Sequence, residues 1–353
     1  MAKLHRRLAD LVRERTARAR PAPVAHPAAA PLRRLQNFGP NPGALEMWLA
    51  LPDDLPPGAP LVVALHGCLQ DAAGFAAGTG WALLAARLGF ALLLPEQRPA
   101  NNANRCFNWF EPEDTSRGGG EAESIRAAVA HLVARQKLDP ARVFVTGLSA
   151  GGAMASAMLA TAPELFAAGA ILAGLPYGAA ASLPEALEAM QTGRPRPAGE
   201  WAALVRAASP HRGPWPRVAV WQGMADATVR PANAEAIAAQ WRALHGLDGA
   251  PETLEPAPGH SLRRWRNASG QVAVEVHELA GLAHGAPIDA ASGIGAAGPF
   301  ILDAGVPATQ GIAEFFGLAA PARPAVFQVD RAGVARPAPE PGLLRQVLQS
   351  FKR

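Results

Sequence analysis

The chain has 353 residues, of which 49% are hydrophobic and 18% are charged, and its formal net charge is +4. This length and hydrophobic content predict a globular protein with a large core, in one large or two smaller domains, and no apolar run reaches the length of a membrane span. The sequence pI is about 9.7. The basic residues are spread along the chain without a nucleic-acid-binding motif, so we expect no nucleic-acid partner.

The first 37 residues are expected to lie outside the main domain. Leu4, Leu8, Leu11 and Val12 fall on one face of a short basic amphipathic helix, and residues 21–32 form a Pro/Ala-rich linker. The helix either packs on its own domain or contacts an anionic surface or a partner. This segment has no continuous apolar stretch of the kind that a secretory signal needs. We therefore expect a cytoplasmic protein, with export as the alternative if the native start lies further upstream.

Buried strands and amphipathic helices alternate from near Phe38 to residue 318. Such alternation predicts an α/β domain whose central sheet is mostly parallel and carries helices on both faces. Strands are predicted at 44–51, 61–65, 90–94, 142–146, 166–172 and 217–221, with a hairpin at 261–267 and 271–279. Helices are predicted at 81–88, 121–136, 151–159, 232–245 and 311–316.

The segment at 142–152 carries the strongest chemical signal, with the sequence RVFVTGLSAGG. A short buried strand runs into a Gly-x-Ser-x-Gly motif and then into a helix start made of small residues. A nucleophile elbow needs this sharp strand-to-helix turn, which small residues beside the serine make sterically accessible. The helix would direct its N-terminal N–H groups at the charge that develops in acyl transfer. The alternative is a glycine-rich turn that contains a serine, but the strand–turn–helix context favours Ser149 as a nucleophile.

A serine nucleophile needs an orienting carboxylate, which comes next along the chain in this architecture. Asp226 directly follows the predicted strand at 217–221 and is expected at the same edge of the sheet as Ser149. Its alternative role is the N-cap of the helix at 232–245, but it lies too early in the chain for that role.

The general base is expected to be a histidine after Asp226. His284 follows the last predicted strand in a loop of small residues and fits best, and His260 is the second candidate. His245 is expected at a helix end, where the helix dipole explains it. His277 is expected on the exposed polar face of a strand.

The oxyanion that forms during acyl transfer needs two N–H donors. We expect one from Ala150, the residue after the nucleophile, and the other from Cys68, in the loop that follows an early strand. His66 is expected to be a structural histidine under that loop. Trp109 lies in a polar loop and is expected to line the substrate cleft, and Tyr177, the only tyrosine, is a second candidate for that role.

The two cysteines, Cys68 and Cys106, are too few for a cysteine-built metal cluster, so we expect no metal site of that kind. Their residue types alone allow either one bridge or two buried thiols.

Several segments together resemble the poly(3-hydroxybutyrate) depolymerase esterases, which are relatives of feruloyl and acetylxylan esterases. The segments that carry the resemblance are 65–68 (LHGC), 95–97 (PEQ), 106–110 (CFNWF), 147–152 (GLSAGG), 173–177 (AGLPY), 223–226 (GMAD) and 284–285 (HG). The resemblance implies an α/β-hydrolase fold with Ser149, Asp226 and His284 as the catalytic triad. It also implies that Cys68 and Cys106 lie close together beside the site, in position to be bridged.

We therefore expect a serine carboxylester hydrolase that cleaves hydroxyalkanoate oligomers or polymer, or short-chain esters, through an acyl-enzyme intermediate and without a metal or organic cofactor. A feruloyl or acetylxylan esterase is the first alternative. The second is a granule- or surface-binding protein on a hydrolase scaffold. Residues 319–353 are predicted to form a Pro/Ala-rich tail with a short terminal helix, and the two terminal helices are the expected places for homo-oligomer or particle contact.

Overall fold

The computed structural model of the chain describes residues 29–319, 327–329 and 335–337. They belong to two units, one that ends at Ala319 and one that begins at Ala320. In the second unit Phe327–Val329 pairs antiparallel with Ala335–Pro337, where the sequence predicted only a Pro/Ala-rich tail. Strands of three residues are too short to show a period. The two predicted terminal helices lie outside the described residues, so their roles stay predictions.

The described residues of the first unit build a ten-stranded sheet. In chain order its strands are β1 (Leu32–Leu35), β2 (Glu46–Ala50), β3 (Leu61–Leu65), β4 (Ala91–Glu96), β5 (Val143–Leu148), β6 (Ala168–Leu172), β7 (Arg217–Gly223), β8 (Glu252–Ala257), β9 (His260–Arg266) and β10 (Val272–Leu279). They are arranged in the order β1-β2-β4-β3-β5-β6-β7-β10-β9-β8. The six central strands run parallel, and they are β4, β3, β5, β6, β7 and β10. Antiparallel strands lie at both edges of the sheet.

Helices cover the sheet, and a small second sheet follows the last strand. The helices are α1 (Ala72–Thr79), α2 (Trp81–Leu88), α3 (Pro112–Thr115), α4 (Gly120–Arg135), α5 (Ala150–Thr161), α6 (Leu183–Thr192), α7 (Ala198–Ala208), α8 (Ala232–His245) and α9 (Ala308–Phe316). The small sheet pairs β11 (Ala286–Ile288) in parallel with β12 (Ile301–Asp303). Within the described residues, no helix has the length and apolar character needed to cross a membrane.

Two apolar layers, one on each face of the sheet, form the core. Val63 of β3 packs into the layer that contains α4, α5 and α8, and its neighbour Val62 packs into the layer that contains α1, α2 and α9. Because successive side chains of a strand point to opposite faces, a strand covered on both sides must be apolar throughout. This explains why all five residues of β3 are buried. The predicted α/β fold with helices on both faces is confirmed.

One strand corrects the predicted start of the domain. We expected the main domain to begin after residue 37, but Leu32–Leu35 forms β1, which pairs antiparallel with β2. Only Leu32 and Leu35 of this edge strand are partly buried, and the two residues between them are exposed arginines. The pattern therefore has no period of two that a sequence could show. The sequence also gave no indication of α1, α3, α6, α7 or β8.

His277 is a second correction, because it is buried and not exposed. Its ring stacks on Trp221 of the neighbouring strand with centroids 3.6 Å apart. Its Nδ1 lies 2.9 Å from Nε2 of His260, and its Nε2 lies 3.0 Å from Oε1 of Glu275. The Arg264 guanidinium donates to Glu275 at 3.0 Å. Alternation along β10 was a poor guide because the layer that holds Trp221 covers this face of the strand.

The buried histidines predict a loss of stability in acid. Burial, with the neighbouring His277, lowers the pKa of His260 to about 4, compared with about 6.5 in an unfolded chain. The unfolded state binds more protons between these values, so this group reduces the free energy of unfolding as the pH falls from about 6.5 to about 4.

His260→Gln tests this prediction, because glutamine keeps an N–H donor for His277 and does not titrate. We expect the variant to lose less free energy of unfolding than the wild type between about pH 6.5 and pH 4. Urea unfolding at a series of pH values measures the two slopes. Plots of the free energy of unfolding against pH should run parallel for the two proteins above about pH 7. Equal slopes of these plots between about pH 6.5 and about pH 4 would contradict the prediction.

Candidate active site

Ser149 lies between the end of β5 and the start of α5 in a backbone conformation that most residues avoid. Its φ is 56° and its ψ is −117°, and such strained conformations cost about 1–3 kcal/mol. The amide of Ser149 donates to the carbonyl of Leu172 on β6 at 2.9 Å, and its carbonyl accepts from the amide of Ala153 at 2.9 Å. These bonds hold the turn at the carboxyl edge of the parallel strands.

Two glycines make this tight turn sterically accessible. A Cβ on Gly147 would overlap the backbone of Gly151, and a Cβ on Gly151 would overlap the carbonyls of Leu65 and His66 at the end of β3. The first turn of α5 therefore contacts both β3 and β5. As a result, the N-terminus of α5 lies beside the loop that follows β3, residues 66–69, which we call the oxyanion loop.

His284 is hydrogen-bonded to both Ser149 and Asp226. Its Nε2 lies 2.9 Å from Ser149 Oγ, and its Nδ1 lies 2.7 Å from Asp226 Oδ2. When Nδ1 donates to the carboxylate, Nε2 is free to accept the hydroxyl proton of the serine. The His284 side chain is 10% exposed. His260, the second candidate for the base, is bonded to His277 instead.

Asp226 is held by the turn in which it lies, directly after β7. Its Oδ1 accepts from the amides of Thr228 and Val229 at 2.8 and 2.9 Å, and its Oδ2 faces His284 and accepts a longer bond from Gln222 Nε2 at 3.4 Å. The side chain is fully buried. α8 begins at Ala232 without a side-chain cap, so Asp226 does not have the alternative N-cap role.

The amides of Cys68 and Ala150 lie where the oxyanion loop meets α5. Within the described residues, neither amide donates to a protein acceptor. The carbonyl of Gly67 accepts from Nδ1 of His66 at 2.7 Å and from the amide of Gln70 at 3.3 Å. In a planar trans peptide the N–H points away from the carbonyl oxygen. The two bonds to Gly67 therefore fix the direction of the Cys68 N–H.

His66 is buried under the oxyanion loop, where the sequence predicted a structural histidine. Its Nδ1 donates to Gly67, and its Nε2 accepts from the amide of Gln97 at 3.1 Å. Burial lowers the pKa of His66 to about 4. A protonated ring would point a second N–H at the Gln97 amide, so the site needs the neutral ring. His66 supports the loop and has no hydrogen bond to Ser149.

Cys68 and Cys106 form one disulfide bridge. The bridge connects the oxyanion loop to the loop between β4 and α3. Beside it, the amide of Leu69 donates to the carbonyl of Asn104 at 2.7 Å. The bridged residues are 38 positions apart, and closing such a loop stabilises a folded chain by about 4 kcal/mol in the chain-entropy argument.

A buried polar network that the sequence did not reveal holds the loop between β4 and α3 to the first turn of α4. Glu121 accepts a hydrogen bond from the Gln97 side chain and another from the Asn108 amide at 3.0 Å. Burial, together with the nearby Asp114 carboxylate, raises the pKa of Glu121 to about 8. The one signal that could have indicated this network is an acidic residue in the first turn of an otherwise apolar helix face.

Trp109 and Tyr177 lie on loops that leave the carboxyl ends of β4 and β6. Trp109 meets Phe110 edge-on, with ring centroids 5.6 Å apart, and packs against a small apolar cluster that includes Ala153 of α5. The peptide of Tyr177 is held by Gln240 of α8, which accepts from its amide at 3.1 Å and donates to its carbonyl at 3.0 Å. Both side chains are partly buried.

A mostly parallel sheet with a serine at a strand-to-helix elbow, followed along the chain by an aspartate and a histidine, defines the α/β-hydrolase fold. A solved acetyl xylan esterase from Aspergillus awamori has this fold, with a TM-score of 0.71 over 82% of this chain and 100% of that one, at 24% identity. The chain belongs to the esterase PHB depolymerase family, whose sequence profile matches residues 49–255.

Relatives of known type support the same classification. Poly(3-hydroxyalkanoate) depolymerase C of Paucimonas lemoignei is 42% identical over 291 residues, which are 81% of this chain and 70% of that protein. A probable acetylxylan esterase A of Aspergillus clavatus is 31% identical over 68% of this chain and 80% of its own length. Feruloyl esterase B of Thermothelomyces thermophilus is 32% identical over 65% of this chain and 81% of its own length. The predicted enzyme class is confirmed, and the chain is a carboxylic ester hydrolase.

The tight elbow predicts that Gly147→Ala is damaging. The new Cβ would overlap the backbone of Gly151, so α5 must shift. We expect the free energy of unfolding to fall by about 1–3 kcal/mol. We also expect most of the esterase turnover to be lost. Urea unfolding and hydrolysis of p-nitrophenyl butyrate measure the two effects. Wild-type turnover in this variant would contradict the tight elbow.

Gly199→Ala is the matched control. Gly199 lies in the first turn of α7, where a Cβ would meet no atom within 4 Å. We expect the free energy of unfolding of this variant to rise by about 0.4–1 kcal/mol, because alanine restricts the unfolded chain. We expect it to keep wild-type turnover.

Proposed function

We propose that this esterase works through an acyl-enzyme intermediate, with Ser149 as the nucleophile, His284 as general base and acid, and Asp226 as the orienting carboxylate. The observation that carries the proposal is the pair of hydrogen bonds that His284 makes, accepting from Ser149 Oγ at 2.9 Å and donating to Asp226 Oδ2 at 2.7 Å. His284 takes the serine proton as Oγ attacks the ester carbonyl. The Asp226 carboxylate then stabilises the imidazolium and keeps the ring in position.

In this proposal the amides of Cys68 and Ala150 donate to the oxyanion of each tetrahedral intermediate. Their lack of a protein acceptor in the described residues supports the role, and such a donor is typically worth about 10²–10³ in rate. His284 passes its proton to the leaving alcohol. Water then attacks the acyl-enzyme by the same route and releases the acid.

We propose that the substrates are hydroxyalkanoate oligomers or polymer, or short-chain esters. The chain is 42% identical to the depolymerase of P. lemoignei, and 31% and 32% identical to the acetylxylan and feruloyl relatives. Trp109 and Tyr177, on loops at the carboxyl edge, are proposed to line the cleft. A feruloyl or acetylxylan esterase would use the same chemistry with a different pocket.

The compartment stays a prediction. Disulfides form and persist mainly in oxidising compartments. The bridge between Cys68 and Cys106 therefore favours export over the cytoplasmic location expected from the sequence.

The proposed triad predicts the activity of three variants. We expect Ser149→Ala, His284→Ala and Asp226→Asn each to lower kcat for p-nitrophenyl butyrate by about 10⁴-fold or more, because the three side chains act as one unit. His131→Ala, at a partly exposed position of α4, is the histidine control and should keep wild-type turnover. If His284→Ala keeps its turnover, the base is wrong and His260 becomes the candidate.

The proposed substrate class predicts a preference among soluble esters. We expect a higher kcat/KM for 3-hydroxybutyrate oligomers than for methyl ferulate or acetylated xylan fragments, and we expect Trp109→Ala to raise KM for the oligomers. Trp215→Ala, before the amino end of β7 and therefore at the opposite edge of the sheet, should leave KM unchanged. A preference for ferulate or acetylxylan would assign the chain to the alternative substrate class and leave the triad intact.

A further inference from the structure

We propose that Gln70 is a positioning residue that keeps the oxyanion loop and His284 in a fixed relative position, through Pro299 and Phe300. The inference rests on the proposed roles of Ser149 and His284. It concerns Gln70 and Phe300, which have no part in the catalytic steps above. Both lie on loops at the carboxyl edge of the sheet.

The Gln70 side chain connects two segments that are 229 residues apart. Its Oε1 accepts from the amide of Gly67 at 2.8 Å, and its Nε2 donates to the carbonyl of Pro299 at 3.0 Å. The amide of Gln70 also donates to the carbonyl of Gly67 at 3.3 Å. Gln70 therefore holds the peptide groups on both sides of Gly67, and one of these peptides carries the N–H of Cys68.

Phe300, the residue after Pro299, lies against His284 and the residues that follow it. Its carbonyl accepts from the amide of Ala286 at 2.8 Å, and a Cβ on Gly285 would lie 2.8 Å from the same carbonyl oxygen. The Phe300 ring meets the His284 ring at 72° with centroids 6.1 Å apart, an edge-to-face arrangement that aromatic rings favour. Phe300 adopts this position with φ at 60°.

The oxyanion loop needs contacts on both sides because its tip is strained. Leu69 has φ at 64° and is 42% exposed, and a strained turn persists only where its surroundings over-determine it. The disulfide and the bond from Leu69 to Asn104 hold the loop from the β4 side. Gln70 holds it from the His284 side. Acyl transfer needs the Cys68 N–H and the imidazole in place together, and a displacement of about 1 Å can reduce the rate about 10²-fold.

Two substitutions of similar size separate the two hydrogen bonds of the Gln70 side chain. Gln70→Met removes both bonds. Gln70→Glu keeps the acceptor for the Gly67 amide but turns an oxygen towards the carbonyl of Pro299. For each variant we expect kcat for p-nitrophenyl butyrate to fall about 10- to 100-fold, with KM within about twofold of the wild type and the thermal midpoint essentially unchanged. Gln136→Met, at the exposed end of α4, is the matched control with wild-type kcat.

Phe300 is tested in the same assay. Phe300→Leu should also lower kcat, and the double variant Gln70→Met/Phe300→Leu should be no slower than the slower single variant, because both residues act through one connection. Additive losses would overturn the inference, as would wild-type kcat in Gln70→Glu. A large fall of the thermal midpoint in both Gln70 variants would overturn it in favour of a purely structural role.

The two proposals fail in distinguishable ways. Ser149→Ala with wild-type turnover would overturn the proposed function. An inactive Ser149→Ala variant beside fully active Gln70 variants would overturn the positioning role alone.

Discussion

The rest of the site depends on one contact, between the first turn of α5 and the end of β3. Gly151 has no Cβ because one would overlap the carbonyls of Leu65 and His66. The same contact brings the Ala150 amide beside the oxyanion loop and forces Ser149 to a φ of 56°. The strain of about 1–3 kcal/mol is tolerable because hydrogen bonds hold both sides of Ser149, its amide to Leu172 of β6 and its carbonyl to Ala153 of α5. The nucleophile and the proposed oxyanion donors are thus produced by a single packing requirement.

The aspartate and the histidine depend on a different constraint, the parallel pairing of β7 and β10. Gly223 and Leu279 end the two strands as register partners, so the loops that carry Asp226 and His284 leave the sheet at the same level. The loops are then bonded to each other, because the amide of Ala225 donates to the carbonyl of Leu282 at 3.0 Å. His284 is 135 residues from Ser149 and 58 from Asp226 along the chain, and sheet register replaces that sequence separation with fixed geometry.

The parts of the fold and site that could be predicted from sequence are those with a local signal. The elbow is contained in eleven consecutive residues, and Asp226 and His284 are marked by the strands they follow. The burial of His277 could not be predicted, because it depends on a ring stacked from another strand. Gln70 could not be predicted either, because its side chain bonds to a carbonyl 229 residues away. Such contacts have no period or motif, and they are decided only when the loops of the carboxyl edge pack together.

The polar groups that support the site have opposite effects on stability. Burial lowers the pKa of His66 to about 4, so this group reduces stability as the pH falls below about 6.5. Burial raises the pKa of Glu121 from 4.5 to about 8, so its contribution is present below about pH 4.5 and is lost as the pH rises through about 8. Buried polar groups of this kind stabilise weakly but can specify one arrangement.

An oxyanion site has a particular need for buried polar side chains. Its amides must stay without a protein acceptor, so these two N–H groups cannot hold the loop that presents them. The loop is held instead by the side chains beneath and beside it, His66 and Gln70, together with the disulfide and the backbone bond from Leu69 to Asn104.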